Sequence, residues 1–184
     1  MNLFIGEVKL EAFFTDIVKN EMYRDISMCI VNKSPVMAVI GIFAYGEMIG
    51  GIGRILEGES ERIVFGSGQS NKNFASFMKW AGKSYSDLDP RETYRIIRGG
   101  LFHRYFIRNP AVIEINPDDP SATMDYGMKR GIWLSDHNVV INVNQLFKDM
   151  KRTVNRMKIK MKKEKMGKME IAQNLGMVFS LINR

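Results

Sequence analysis

One stretch of the sequence constrains the fold more than any other. PVMAVIGIFAYGEMIGGIG, residues 35–53, contains a single charged residue, Glu47. It begins at Ser34-Pro35, and proline suits the first turn of a helix because its missing N–H is not needed there. A helix that is apolar on all sides is either buried in a bundle or crosses a membrane. No second stretch of this kind is visible and Glu47 would be costly in lipid, so we expect a buried bundle helix and no membrane span.

Glycines inside this stretch indicate how it packs. Gly41, Gly46 and Gly50 carry no side chain, so a neighbouring helix can approach the backbone closely at these positions. We therefore expect other helices of the bundle to pack tightly against this one.

Apolar residues three and four positions apart predict further helices. The first covers residues 8–23. Shorter helices are predicted at residues 74–82 and 91–106, the second of them after acidic residues and a proline that suit a helix start. The Gly- and Ser-rich residues 57–73 are predicted to form a loop.

The longest periodic segment begins at Val143 and leaves its lysines and arginines on the non-apolar faces. Lys148–Lys168 contains ten Lys or Arg against Asp149 and Glu164, a net charge of +8, whereas the whole chain has +7. The positive charge therefore belongs to one segment. Its predicted apolar side consists of Val143, Phe147, Met150, Val154, Met157 and Met161.

Short alternating segments predict strands at residues 111–116, 131–134 and 139–142, the last two forming a hairpin. The predicted fold is mainly α: a helical bundle with a small antiparallel β-hairpin or sheet and a long basic C-terminal helix. We expect a helical domain over residues 1–147 and a basic helical extension over residues 148–184 that packs on the same domain.

Few residues suit disulfide, metal or cofactor chemistry. The single cysteine, Cys29, cannot form an internal disulfide, and MNLFIGEVKLEAFF lacks the basic start of a signal peptide, so we expect a cytoplasmic protein. There is no HExxH pattern, no phosphate-binding glycine loop after a strand, and no cluster of acidic residues with metal-ligand spacing. We therefore expect neither a metal nor a cofactor.

The segment RGGLFHRYF, residues 98–106, places Arg98 five residues before His103. An Arg-x4-6-His pattern near the end of a core helix resembles the HEPN superfamily (higher eukaryotes and prokaryotes nucleotide-binding), and YRIIRGGLFHRYF also resembles bacterial proteins of this length. The resemblance implies a helical homodimer that binds RNA or nucleotides. Catalytic members of the family are metal-independent endoribonucleases of defence or toxin systems, while other members only bind.

The resemblance also implies roles for individual residues. His103 would transfer a proton, because imidazole titrates near neutral pH, and Arg98 would bind the phosphate. In a homodimer two such pairs would face each other across the interface. Arg95, Arg104 and Tyr105 are further candidates for contact with the substrate.

Two observations limit this interpretation. Arg130 and His137 repeat the pattern on the predicted hairpin, so only the helical context distinguishes the first pair. On a straight helix Arg98 and His103 lie about 140° apart, so a shared site requires a bend at the double glycine between them.

The alternative for this segment is structural. Arg98 would pair with an acid such as Asp87 or Asp89, and His103 would pack or cap at the helix end.

The basic C-terminal segment is compatible with a nucleic-acid contact, an anionic-membrane contact or a solvated helix face. No aromatic residue lies between Phe147 and Phe179, so we expect contacts to phosphates rather than to bases, with Lys151, Arg152 and Arg156 as candidates. The competing function is a non-catalytic helical interaction protein whose basic helix binds an acidic partner.

Overall fold

In a computed structural model the chain is mainly helical, as predicted. The structure describes residues 13–104, 111–114, 130–135 and 138–163, with side chains at 14–97, 130–132 and 140–163. Within these ranges the helices are a π-helix (Phe13–Tyr23), α1 (Arg24–Val31), α2 (Pro35–Leu56), α3 (Glu61–Val64), α4 (Ser70–Ala81), a 3₁₀-helix (Lys83–Tyr85), α5 (Pro90–Arg104) and α6 (Val143–Lys163). The strands are β1 (Ala111–Glu114), β2 (Ile132–Ser135) and β3 (Asn138–Asn142).

α2 is the central helix of the bundle. It begins at Pro35, and it packs against α1, α4, α5 and α6. Among the described residues it is the one helix that is long and apolar enough to cross a membrane, but 56% of its most apolar window is buried inside the protein. Core helices of this kind pass the same test, so the finding is weak support for a span.

The backbones of α2 and α4 are in direct contact at Gly50. A Cβ atom added to Gly50 would lie 1.8 Å from the carbonyl oxygen of Asn73, which no side chain could tolerate. At Gly46 an added Cβ would lie 3.2 Å from the Phe77 ring, a tight contact, whereas at Gly41 it would meet Ile26 at an ordinary 3.5 Å. The predicted close approach is therefore confirmed for Gly46 and Gly50.

The N-terminal helix buries a stripe of side chains spaced four residues apart. Phe14, Val18, Met22 and Ile26 are all buried. Four residues exceed the 3.6-residue turn of an α-helix, so a straight α-helix would rotate this stripe away from the core. The wider turn of the π-helix over Phe13–Tyr23 keeps the stripe in line, and α1 continues it to Ile26.

The prediction of a loop over residues 57–73 is confirmed for residues 57–60 and 65–69 and wrong for the rest. The segment contains α3 and the first turn of α4. The cause is Arg54, a buried arginine at the end of α2, which donates hydrogen bonds to Glu59 at 2.8 and 2.5 Å and to Asn73 at 2.6 Å. The Asn73 amide in turn donates to the Val64 carbonyl at 3.0 Å. These contacts fix a polar segment that lacks the apolar periodicity of a helix.

The sheet is mixed rather than wholly antiparallel. β2 and β3 form an antiparallel hairpin, with Ile132 opposite Ile141, but β1 pairs parallel with β3, with Ala111 opposite Val139. The strand order is β1-β3-β2. Alternation along a single strand does not indicate the direction of its partner, so the sequence could not distinguish the two cases.

Candidate nucleic-acid interface

α6 is held by an apolar side that lies in the core. All six of its predicted apolar residues are buried, which confirms the periodicity of this segment. The helix follows β3 directly, and the side-chain oxygen of Asn142 accepts the backbone N–H of Gln145 at 2.9 Å, an N-terminal cap. α6 packs against α2 and α4, and it runs without interruption across residues 147 and 148.

The one acid of α6 in the described range, Asp149, is turned into the protein. Its carboxylate accepts hydrogen bonds from the Tyr85 hydroxyl, from the backbone N–H of Gly131 at 3.1 Å and from the Gln145 amide at 3.0 Å. Arg152, exposed on the outer side, donates to the same carboxylate. Asp149 therefore joins α6 to the start of the hairpin and to the segment before α5. From the sequence alone, Asp149 is only a negative charge within a basic run.

The eight lysines and arginines of Lys148–Lys163 occupy one continuous side of α6. At about 100° per residue they cover an arc of about 200°, opposite the buried apolar side. One flank of this arc faces the N-terminal π-helix, and the other faces α4. We call the set the cationic arc; its members are Lys148, Lys151, Arg152, Arg156, Lys158, Lys160, Lys162 and Lys163.

On the first flank, lysine ammonium groups lie over aromatic rings. The Lys151 Nζ is 3.9 Å from the centre of the Phe147 ring and 5.6 Å from that of Tyr23. Lys158 lies 5.7 Å from the centre of the Phe14 ring. Burial lowers the pKa of the Lys151 ammonium. The rings hold the lysine stems in place while the charged groups stay at the surface.

On the second flank, Arg156 and Lys160 lie beside the end of α4. The Arg156 guanidinium donates to the carbonyls of Trp80 at 2.9 Å and Ala81 at 2.8 Å, and so caps the C-terminus of that helix. Lys160 lies 5.4 Å from the centre of the Trp80 ring. The position of an aromatic ring beside the basic segment was missed, because Trp80 is distant in the sequence.

Several members of the arc have no counterion in the described part of the chain. Lys148, Lys162 and Lys163 are exposed, and no described carboxylate forms an ion pair with them or with Lys158. Of the predicted phosphate-binding residues, Arg152 is ion-paired with Asp149, whereas Arg156 donates to carbonyl oxygens, which carry no net charge. The arc thus carries a net positive charge that the protein itself does not neutralise.

The predicted catalytic residues lie on α5. Arg98 and His103 are both within this helix, as are Gly99, Gly100 and Arg104, but their side chains and all of Tyr105 lie outside the described part of the structure. Arg95 is exposed and paired with Glu92, one turn earlier, at 2.6 Å. The predicted Arg98–His103 site therefore stays a prediction. Arg95, a further candidate for substrate contact, is engaged by Glu92.

The second Arg-x-His pattern has a structural role for its arginine. Arg130 is largely buried, forms a two-pronged ion pair with Asp87 and donates to the Ser84 carbonyl at 2.6 Å. The Arg130 guanidinium holds the pKa of the Asp87 carboxyl below its usual value. Asp89, the other acid considered for Arg98, caps α5 by accepting the N–H of Arg91 at 2.8 Å. His137 lies outside the described residues.

Within the described residues, no group of three His, Cys, Asp or Glu side chains is placed to hold a metal ion. Comparison of the chain with protein-family models, with curated proteins and with solved structures gave no match. The features of the protein that bear on its function are therefore the cationic arc and the sequence of α5.

Proposed function

We propose that this protein binds RNA through the cationic arc of α6. The observation that supports the proposal is the distribution of charge on this helix: eight cations occupy its outer side, and the one described acid, Asp149, is buried at the edge of the apolar side with its carboxylate hydrogen-bonded inside the protein. Solubility alone would be served by mixed charges. A single-sign surface attracts polyanions, above all nucleic-acid backbones.

The arc has a suitable length and stiffness for a phosphate backbone. From Lys148 to Lys163 the helix rises about 22 Å, which spans several consecutive phosphates. The apolar side of the helix is buried along its length, and the ammonium groups of Lys151 and Lys158 lie over aromatic rings. Less side-chain entropy is then lost when a phosphate is bound.

RNA cleavage is a second proposal, and it rests on the resemblance to the HEPN superfamily. His103 would transfer the proton and Arg98 would stabilise the phosphate, in a homodimer that operates without a metal. The observation that favours it is the packing of α4 against both α5 and α6, which places the helix of the predicted pair and the cationic arc in one bundle. A non-catalytic protein that binds an acidic protein partner is the competing function.

RNA binding is tested by measuring the affinity for a 30-nucleotide RNA between 50 and 200 mM salt. In the variant K148Q/K158Q/K162Q/K163Q we expect binding to weaken about 100-fold near 0.1 M salt, with a shallower salt dependence, because each lost phosphate contact removes counterion release. The matched control K33Q/R62Q/K72Q/K83Q removes the same number of charges from exposed positions outside α6 and should bind almost as tightly as the parent.

Three results would contradict the proposal: no RNA binding by the parent, binding that does not depend on salt, or equal losses in the two variants. Polyglutamate serves as the competitor. If polyglutamate binds the arc and RNA does not, the acidic protein partner replaces RNA as the function of α6.

A further inference from the structure

The end of α4 presents an aromatic ring beside the cationic arc. Trp80 is half-buried, as is Tyr23 on the other flank, whereas the Phe14 and Phe147 rings of that flank are almost fully buried. One edge of the Trp80 indole lies against the α2 backbone, where a Cβ added to Gly53 would be 2.7 Å from Nε1. Because Gly53 has no side chain, the edge of the Trp80 ring can pack directly against the α2 backbone.

Two cations frame this ring. The Lys160 ammonium lies over the ring, 5.4 Å from its centre, and is itself half-exposed. The Arg156 guanidinium is fixed below by the carbonyls of Trp80 and Ala81. The half-buried ring therefore has one edge against Gly53, the Lys160 ammonium over it, and a second cation, Arg156, bonded to the carbonyls beside it.

We propose that Trp80 is a base-stacking position and that the RNA bound by the arc is single-stranded. This inference rests on the proposed RNA binding. A base would occupy the face over which Lys160 now lies, and the ammonium would move to the phosphate next to that base. Stacking of this kind accepts any base, because every base has a π-face.

Single-stranded RNA is the class that can stack on Trp80, because the bases of a duplex are stacked on each other and offer no free face. Sequence-tolerant proteins for single strands combine a positive groove with aromatic platforms, and duplex binding relies on backbone contacts alone. The first flank of the arc supplies cations over the buried rings of Phe14 and Phe147 and near the half-buried ring of Tyr23. The second flank supplies cations beside a ring that a base can reach.

The test compares two substitutions at one position, Trp80→Leu and Trp80→Phe, with a ten-nucleotide oligouridylate and a duplex RNA as probes. Trp80→Leu should weaken binding of the single strand about 10-fold, because the aromatic face is lost, whereas Trp80→Phe should remain within about 3-fold of the parent. Both variants should bind the duplex as the parent does.

A fluorescence measurement covers the case in which a Trp80 variant does not fold. In Trp133→Phe, the fluorescence of the remaining tryptophan, Trp80, should be quenched by oligouridylate and left unchanged by duplex RNA. Equal quenching by both probes, no quenching by either, or unchanged oligouridylate affinity in a folded Trp80→Leu would overturn the inference. None of these results would change the salt-dependent RNA binding that the parent shows and K148Q/K158Q/K162Q/K163Q lacks. The proposal of RNA binding can therefore hold even if base stacking on Trp80 is disproved.

Discussion

α5 and α6 are both rich in arginine or lysine, yet the structure treats their charges differently. On α5 Arg95 is paired with Glu92, one turn away on the same surface, and Arg91 is the other arginine with a described side chain. On α6 the acid Asp149 is withdrawn into the interior, and the lysines toward both ends of the arc stay without a counterion among the described residues. The helix with the recognisable motif thus has two described arginines against one glutamate, and the helix without a motif carries the larger excess of positive charge.

The difference separates two kinds of functional signal. A motif such as Arg98-x4-His103 depends on the placement of two side chains, so its test is a measurement on those residues. A charge distribution such as the cationic arc depends on many residues and on which side of the helix is buried. The burial of six apolar residues on α6 is sufficient to define that side.

The largest expected effect concerns RNA cleavage by the predicted pair on α5. If the parent cleaves RNA in excess EDTA, His103→Ala and Arg98→Ala should each reduce the rate about 100- to 10,000-fold, the usual range for losing a proton-transfer group. His137→Ala is the matched control, since it removes the histidine of the second Arg-x-His pattern, and it should cleave at the parent rate. Absence of cleavage, or cleavage that does not depend on His103, would leave the protein with binding alone.

The attachment of α6 should depend strongly on Asp149. Asp149→Ala removes a buried acceptor and leaves the Gly131 N–H and the Tyr85 hydroxyl without it, so we expect a loss of about 3 kcal/mol in the free energy of unfolding. Urea denaturation measures the loss. Arg152→Ala, on the exposed side of the same carboxylate, should cost under about 1 kcal/mol. Equal costs would mean that the buried contacts are not what fastens α6.

A smaller effect is expected where α5 meets α2. The Tyr94 hydroxyl donates to the Glu47 carboxylate at 2.6 Å in a part-buried position. Tyr94→Phe keeps the ring and removes the donor, so it should lower the free energy of unfolding by about 1 kcal/mol in the same urea experiment. A loss as large as that of Asp149→Ala would show that α5 and α6 are fastened equally.

The sequence predicted best the elements whose burial follows a regular pattern. α2 was defined by a long run with one charge, and α6 by apolar residues three and four apart, and both were confirmed. α3 and the first turn of α4 escaped prediction because Arg54 and Asn73 stabilise them through buried polar contacts, which leave no periodic signal. The direction of β1 was missed for a related reason, since a partner strand is chosen by tertiary packing.

The candidate interface was predicted in part. The basic run was apparent from composition, but not its neighbour Trp80, because contacts between distant segments cannot be derived from one segment alone. Asp149 did carry a signal: it lies three residues after Leu146 and four before Thr153, both buried, and so at the edge of the apolar stripe. An acid at that position of a basic helix is a candidate for a buried anchor.

The contact at Gly50 has a consequence for how this bundle can change over evolution. Because α2 and α4 contact each other through their peptide backbones at Gly50, no side chain separates them at that position. Exchanges of core side chains can refill the bundle elsewhere, but any residue larger than glycine at position 50 would force α4 outward. Trp80 would move with α4, away from Gly53 and Arg156. The positions of Trp80 and Arg156 beside the cationic arc therefore depend on the backbone contact between α2 and α4, and no substitution changes the dimensions of a polypeptide backbone.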